Sequence, residues 1–187
     1  MSSHHIVREK QEPALYIHEL GNFSEEYLGQ LLEWSPTLIV NGAVYEKVLS
    51  LGLKVDVVLN TLEGIAVQEN TKSIIGPGDE YNTVMNYLIS EKYPAVNVID
   101  TDKDLADLAF YIDRINIVLF TPEEKSYAVK TGFSIWKPAG SVFLINVVSY
   151  FEATNLRQED ERVFKVVEDG FVAFTFATEF LFLTEYL

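Results

Sequence analysis

Four short polar segments contain most of the side chains that could do chemistry in this chain. They are residues 41–43, 60–64, 78–82 and 102–107, and each follows an apolar, strand-like run or the loop just after one. In an open α/β sheet, ligand-binding groups cluster in the loops beyond the carboxyl ends of the strands. The four segments therefore predict one shared cleft.

Strands and helices alternate at short intervals through the first part of the chain. Apolar runs predict strands at residues 14–17, 37–40, 55–59, 73–75 and 95–99. Helical patterns and caps predict helices at residues 24–34, 44–51, 79–93 and 102–113. This alternation indicates an α/β fold with a right-handed parallel sheet that is covered on both faces.

From residue 115 onward the pattern changes to short strands separated by turn residues, and no helical period interrupts them. The strand candidates are residues 117–120, 127–130, 133–136, 142–151, 163–167, 172–176 and 180–183. We therefore predict an N-terminal α/β domain at residues 1–120 and a small antiparallel β domain at residues 121–187.

Composition limits the partners of this chain. Of its 187 residues 48% are hydrophobic and 13% aromatic, which is enough for a sizeable core. The formal net charge of −14 repels nucleic-acid phosphates and anionic lipid headgroups, so we expect neither nucleic acid nor a membrane as partner. The same charge disfavours free ATP and attracts a cationic ligand. With no cysteine and no apolar run of membrane-spanning length, a cytoplasmic protein without thiolate chemistry is expected.

The order and spacing of the four polar segments resemble the thiamine pyrophosphokinase family. Members of that family pair an N-terminal α/β domain with a C-terminal β-sandwich and work as homodimers with active sites at the subunit interface. They transfer a pyrophosphoryl group from ATP to thiamine, with Mg²⁺ bridging the phosphates, and release AMP. The resemblance implies a C-terminal antiparallel β-sandwich, a homodimer, and thiamine, ATP and Mg²⁺ as ligands.

The first two segments match family signatures but lose acidic groups. In the run 38–43, Asn41 stands where the family has Asp, and Gly42 is kept. Asn60, Thr61 and Glu63 occupy the Gly-Asp-x-Asp-Ser position, where only Glu63 remains acidic. The resemblance places Asn41, Gly42, Asn60 and Thr61 at the cleft and makes Glu63 a metal ligand.

The third segment resembles the family's Asp-x-Thr-Asp signature. Asp79 is retained, while Tyr81 and Asn82 replace the Thr-Asp pair. The resemblance implies that Asp79 and Asn82 line the cleft. A carboxylate such as Asp79 could instead cap a helix, because acidic residues in a first turn are stabilised by the exposed N–H groups.

The fourth segment overlays the family's Asp-His-x-x-x-Asn signature. Asp102 is retained, Lys103 replaces His, and Asp107 replaces Asn. Asp102 and Asp107 are thus implied to line the cleft, with helix capping again the alternative role. The metal ligands implied by the resemblance are Glu63, Asp79 and Asp102.

An Mg²⁺-polyphosphate site that exchanges most of its acidic ligands for amides or neutral residues loses metal affinity. We therefore expect a thiamine pyrophosphokinase-like protein with weak or lost catalysis and a residual ligand-binding or structural role. The alternative is an active thiamine pyrophosphokinase with a rebuilt Mg²⁺ site. An unrelated α/β protein with the same strand order is a third possibility.

Aromatic and histidine residues give further expectations. With period-two alternation, one face of the last two strands would carry Val172, Phe174, Phe176, Phe180 and Phe182, buried in a sandwich core or a subunit interface. Trp136 is the aromatic residue favoured for stacking on a heterocycle. The histidines His4, His5 and His18 are dispersed and are expected on the surface or in the tail.

Overall fold

Two sheets contain the strands found in residues 12–61, 64–76, 78–147 and 149–187, which are the residues described by this computed structural model. The larger sheet has eleven strands: β1 (Ala14–Ile17), β2 (Leu38–Asn41), β3 (Val57–Leu59), β4 (Lys72–Ile74), β5 (Ala95–Ile99), β6 (Asn116–Phe120), β7 (Glu124–Val129), β9 (Val142–Leu144), β11 (Leu156–Gln158), β12 (Val163–Val166) and β14 (Leu181–Tyr186). The smaller sheet has three: β8 (Ser134–Lys137), β10 (Phe151–Ala153) and β13 (Gly170–Phe176).

The helices are α1 (Glu25–Leu32), α2 (Tyr45–Ser50) and α3 (Glu80–Ser90), with short 3-10 helices at Gly42–Val44 and Leu105–Tyr111. The helix predicted at residues 102–113 is the second of these 3-10 helices. It begins after Asp104, whose side chain accepts a hydrogen bond from the backbone N–H of Ala106, so Asp104 and not Asp102 is its cap. None of the helices found within the described ranges combines the length and apolarity needed to cross a bilayer.

The first six strands form a parallel sheet in the order β4-β3-β2-β1-β5-β6. Strand β7 then pairs antiparallel with β6, and the large sheet continues through β14, β9, β12 and β11. The predicted α/β part with parallel strands, followed by an antiparallel sandwich, is confirmed. One sheet of the sandwich is a direct extension of the parallel sheet, and residue 120 is the last residue of β6.

Alternate residues of the central strand β1 face two different cores. Tyr16 packs with α3 on one face of the parallel sheet, whereas Leu15 and Ile17 pack with α1 and α2 on the other. Successive side chains of a strand point to opposite faces, so an uninterrupted apolar run is what a doubly covered strand requires. The sheet is therefore covered on both faces, as predicted.

The last two strands divide their aromatic residues between two cores. Val172, Phe174 and Phe176 of β13 are buried inside the sandwich. The prediction that Phe180 and Phe182 share this face is wrong, because these two side chains pack against the core of the α/β part. The chain changes sheets between β13 and β14, and this change breaks the period-two alternation across the turn.

Candidate functional site

Five side chains meet where the parallel strands end, and we refer to them as the strand-end cluster: Tyr16, His18, Asn41, Tyr81 and Asp100. His18 directly follows β1, Asn41 is the last residue of β2, Asp100 directly follows β5, and Tyr81 lies in the first turn of α3. Adjacent parallel strands bring their carboxyl ends to one edge of the sheet, which is where α/β folds place their ligand sites.

Hydrogen bonds fix the tautomer of His18. The Tyr16 hydroxyl oxygen lies 3.0 Å from His18 Nδ1. The Asn41 side-chain nitrogen lies 3.3 Å from the same atom. An amide nitrogen only donates, so Nδ1 accepts and the neutral ring carries its hydrogen on Nε2. That nitrogen is 3.9 Å from the nearer carboxylate oxygen of Asp100.

Asp100 is a buried carboxylate, with only 4% of its surface exposed. One oxygen accepts a hydrogen bond from the Tyr81 hydroxyl. The other accepts from the backbone N–H of Thr101 at 2.6 Å and from that of Asp102 at 3.4 Å. A buried charge is tolerated only with such partners, so the cluster satisfies Asp100 from within the chain.

Aromatic rings pack around Tyr81, whose hydroxyl donates to this carboxylate. The His18 and Tyr81 rings lie 4.8 Å apart, and the Tyr16 ring meets Tyr81 edge-on at 5.8 Å. Lys103 Nζ lies 4.9 Å from the centre of the Tyr81 ring. Burial, followed by the hydrogen bond to Asp100, raises the pKa of Tyr81 well above its usual value. Burial, followed by the charge of Glu80, does the same to the pKa of Tyr16, so both hydroxyls stay protonated.

The first predicted segment lies against the second. The Asn41 side chain accepts a hydrogen bond from the backbone N–H of Ala43 at 3.1 Å and so starts the short helix that follows β2. A Cβ added to Gly42 would lie 2.4 Å from the carbonyl oxygen of Asn60. Only glycine permits this approach, so the segments that carry Asn41 and Asn60 are held together by backbone contact.

The second segment uses its polar side chains to hold the turn after β3. Asn60 has a positive φ of 49°, and its side chain accepts a hydrogen bond from the backbone N–H of Gly76 at 3.1 Å. The hydroxyl oxygens of Thr61 and Ser73 lie 2.9 Å apart. Glu63, the predicted metal ligand of this segment, lies outside the described residues.

The third segment caps a helix. Asp79 is the N-cap of α3, and its carboxylate accepts a hydrogen bond from the backbone N–H of Tyr81 at 3.2 Å. The Asn82 side chain accepts from the side-chain amide of Asn86, one turn further along. The structure thus places Asp79 beside the strand-end cluster, with one carboxylate oxygen engaged by the backbone.

Residues of the fourth segment line an open polar cleft of about 530 Å³ at the carboxyl ends of β5 and β6. The charged residues lining this polar cleft are Asp102, Lys103, Asp104, Glu123, Glu124 and Arg162. Asp107 pairs with Lys103, with 3.1 Å between the carboxylate oxygen and Nζ. Asp102 is exposed to solvent in this cleft.

The described residues include only two of the three metal ligands implied by the resemblance. Within the part of the chain that the structure describes, no group of three histidine, aspartate or glutamate side chains is arranged to hold one. Of the three predicted ligands, Asp79 caps a helix and Asp102 lines the polar cleft, whereas Glu63 is not described. Mg²⁺ at a phosphate-transfer site needs only one or two carboxylates beside the substrate phosphates and waters, so this ligand set stays a prediction.

Neither a family model nor a curated protein matches this sequence. Solved structures do. Thiamine pyrophosphokinase from Bacillus subtilis superposes with a TM-score of 0.68 at 9% identity, over 94% of this chain and 99% of that one. The enzyme from Geobacillus thermodenitrificans gives 0.66 at 10% identity, over 93% and 97%. Yeast thiamin pyrophosphokinase gives 0.58 at 12% identity, over 97% and 88%.

The chain has the thiamine pyrophosphokinase fold. The matches span both the parallel sheet and the sandwich, since they cover more than nine tenths of the chain. The resemblance inferred from the four segments is thus confirmed at the level of the fold. At 9–12% identity it shows the fold alone, so the chemistry must be argued from the side chains described above.

Four members of the strand-end cluster, Tyr16, His18, Tyr81 and Asp100, were not predicted as site residues from the sequence. His18 is not a surface histidine, because it is partly buried among Tyr16, Asn41 and Tyr81; His4 and His5 lie outside the described residues. Asp100 was passed over in favour of Asp102. Both His18 and Asp100 directly follow a buried strand, which is the signal that could have identified them.

Proposed function

We propose that this is a thiamine pyrophosphokinase-like protein with weak or lost catalysis that still binds a small organic cation of the thiamine type. The strongest supporting observation is that the predicted motif side chains form hydrogen bonds that stabilise the local fold. Asn41, Asn60 and Asp79 all accept hydrogen bonds from backbone N–H groups. Such side chains are not free to align a polyphosphate.

Loss of charge supports the same conclusion. Pyrophosphoryl transfer is catalysed chiefly by positioning and by neutralising the phosphate charge through metal ions and their ligands. Neutral side chains at positions 41, 61 and 82 replace three carboxylates of the family signatures. The His18 and Tyr81 rings, which pack against each other, and the buried Asp100, which accepts from the Tyr81 hydroxyl, occupy the strand ends instead.

A cation is the ligand that fits the polar cleft. Its lining contains four carboxylates, Asp102, Asp104, Glu123 and Glu124, against two cationic side chains. The whole chain adds a net charge of −14, so the field at the cleft attracts a cation and repels a free nucleotide. Thiamine is a cation of suitable size for a cleft of about 530 Å³.

Titration calorimetry on the full-length protein tests this proposal. We expect saturable binding of thiamine, and a loss of about tenfold in affinity in the double variant Asp102→Asn/Glu123→Gln, because two carboxylates near the cation are neutralised. Glu46→Gln, an exposed acid-to-amide change on α2, is the matched control and should leave the affinity unchanged. No thiamine binding, or equal binding in the double variant, would overturn the ligand assignment.

We also propose that the protein associates as a homodimer through the outer face of the small sheet. Trp136 of β8 and Phe171 of β13 are paired across the two strands, and they are 54% and 67% exposed. Exposed aromatic pairs of this kind are typical of interface centres. Trp136 therefore stands on this sheet face rather than in the polar cleft.

Light scattering after size-exclusion chromatography tests the dimer. Trp136→Lys should shift the protein to monomer, because it places a charge at the centre of the apolar patch. Trp34→Lys is the matched control, since Trp34 is 71% exposed just beyond the end of α1. A monomeric unmodified protein, or the same shift in both variants, would contradict this interface.

A further inference from the structure

Strands β6 and β7 separate at the N-terminal end of β6, which is the end opposite the polar cleft. Their ladder joins Phe120 to Lys125 and ends with the pair Val118 and Tyr127. Beyond that pair, β7 continues to Val129 against β14, while β6 begins against β5. The two strands therefore diverge and leave a wedge-shaped gap between them.

The wedge opens into a second cleft of about 450 Å³, which we call the wedge cleft. Its walls combine apolar side chains with polar groups, and the apolar part is formed by Ile115, Ile117, Val129, Phe133 and Phe180. The first three are almost fully buried, so the apolar surface extends into the core rather than lying flat on the exterior. A cleft of this volume and lining is typical of sites for small organic molecules.

Two cationic side chains, Arg114 and Lys130, line the same cleft. Lys130 is exposed, and its Nζ lies 5.5 Å from the centre of the Phe180 ring. Arg114 stacks on the Phe110 ring at 4.6 Å, and its Nε is 3.8 Å from the Asp113 carboxylate. The cleft thus has two cations and one carboxylate in a chain that has twice as many acidic as basic residues.

We propose that the wedge cleft binds an amphipathic organic anion, namely a carboxylate that carries an apolar chain. The carboxylate pairs with Lys130 and Arg114, and the chain packs along Ile117 and Phe133. Charge and hydrophobicity both favour this class: the cations would repel an apolar amine, and a sugar or a free phosphate would leave the apolar part of the cleft without a partner. The site is independent of the thiamine-type site, which lies at the other end of β6.

Titration calorimetry of the full-length protein with decanoate tests the proposal, with decylamine and 1-decanol as probes of equal chain length. We expect one saturable decanoate site and binding of the amine and the alcohol that is at least about tenfold weaker, because only decanoate can form the ion pair. Equal binding of all three probes would show non-specific apolar contact and would overturn the proposal. A phenylpropanoate titration then distinguishes a straight chain from an aromatic body in the same cleft.

Two variants tie the binding to this cleft. Lys130→Gln removes an exposed charge without touching the core, and it should weaken decanoate binding by about tenfold. Lys54→Gln, an exposed lysine just before β3, is the matched control and should bind decanoate normally. Decanoate affinity that is unchanged in Lys130→Gln would contradict the assignment.

Ala128→Trp tests the volume of the site. Ala128 is only partly buried and lines the wedge cleft, so a larger side chain there should fill the cleft and abolish binding. Thiamine binding by the same variant reports whether it is folded, because thiamine is assigned to the polar cleft. A variant that binds thiamine and still binds decanoate would overturn the location.

Discussion

The strand-end cluster and the polar cleft lie at the same edge of the sheet, but their carboxylates differ in burial and in hydrogen bonding. In the cluster, Asp100 is buried and its oxygens are satisfied by Tyr81 and two backbone N–H groups. In the polar cleft, Asp102 is two residues away along the chain and faces solvent. We therefore place the proposed ligand site in the second region, since the carboxylate of the first is buried and already has its hydrogen-bond partners.

Among these predictions, removal of the Asp100 carboxylate should cause the largest loss in the free energy of unfolding. Asp100→Ala leaves the buried Tyr81 hydroxyl and the backbone N–H of Thr101 without an acceptor, so we expect a loss of about 3 kcal/mol in the free energy of unfolding. Asp102→Ala is the control in the other region and should cost less than about 0.5 kcal/mol. Urea unfolding measures both. Similar losses would mean that the two carboxylates are equally exposed, against the structure.

Gly42→Ala should break the contact between the first two motif segments. The added Cβ meets two backbone carbonyls, those of Leu59 and Asn60, which cannot rotate away as a side chain could. We expect a loss of about 2 kcal/mol in urea unfolding. Gly29→Ala in α1, where no atom lies within 4 Å of the added Cβ, should instead gain up to about 1 kcal/mol from helix propensity. A neutral Gly42→Ala would contradict the close approach.

Alkaline pH should lower the free energy of unfolding through the buried tyrosines of the strand-end cluster. Burial raises the pKa of Tyr81 above its usual value of 10.0, so above pH 10 the unfolded chain loses a proton that the folded chain keeps. The unfolded state then binds fewer protons, and the stability falls by about 1.4 kcal/mol per pH unit for each such tyrosine. Below pH 10 this contribution is fully present.

Tyr81→Phe gives the measurement for this pH dependence. Urea unfolding between pH 8 and 11 should show a shallower alkaline loss in the variant, since one buried tyrosine no longer contributes. The matched control is Tyr27→Phe, which makes the same change at a partly buried tyrosine of α1 and should retain the full slope. An identical slope in Tyr81→Phe would show that this hydroxyl ionises as freely in the folded protein as in the unfolded one.

Sequence patterns predicted the architecture well because they depend on local periodicity. Uninterrupted apolar runs such as 14–17 required cover on both faces, and the structure has it. The prediction that Phe176 and Phe180 share one face was wrong because the chain changes sheets between them. The pairing of distant strands leaves no local signal in the sequence. The cap of the last helix was missed by two residues because Asp102 and Asp104 are equally good capping residues.

The candidate site was harder to predict than the fold. Motif spacing located Asn41, Asn60 and Asp79, but not the fact that each of them bonds to backbone N–H groups. The partnership of His18 with Asp100 joins residues 82 positions apart, and it depends on β1 and β5 being neighbours in the sheet. Only tertiary structure brings these groups together.

A thiamine diphosphate assay tests the central claim most directly. Purified full-length protein is incubated with thiamine, ATP and Mg²⁺, and the product is followed by thiochrome fluorescence beside a known thiamine pyrophosphokinase. The account predicts little or no product beside the known kinase, even at high protein concentration, in a preparation that binds thiamine by calorimetry. Turnover as fast as that of the known kinase, abolished by Glu63→Gln, would contradict it and would show that the altered segments still form a working catalytic site.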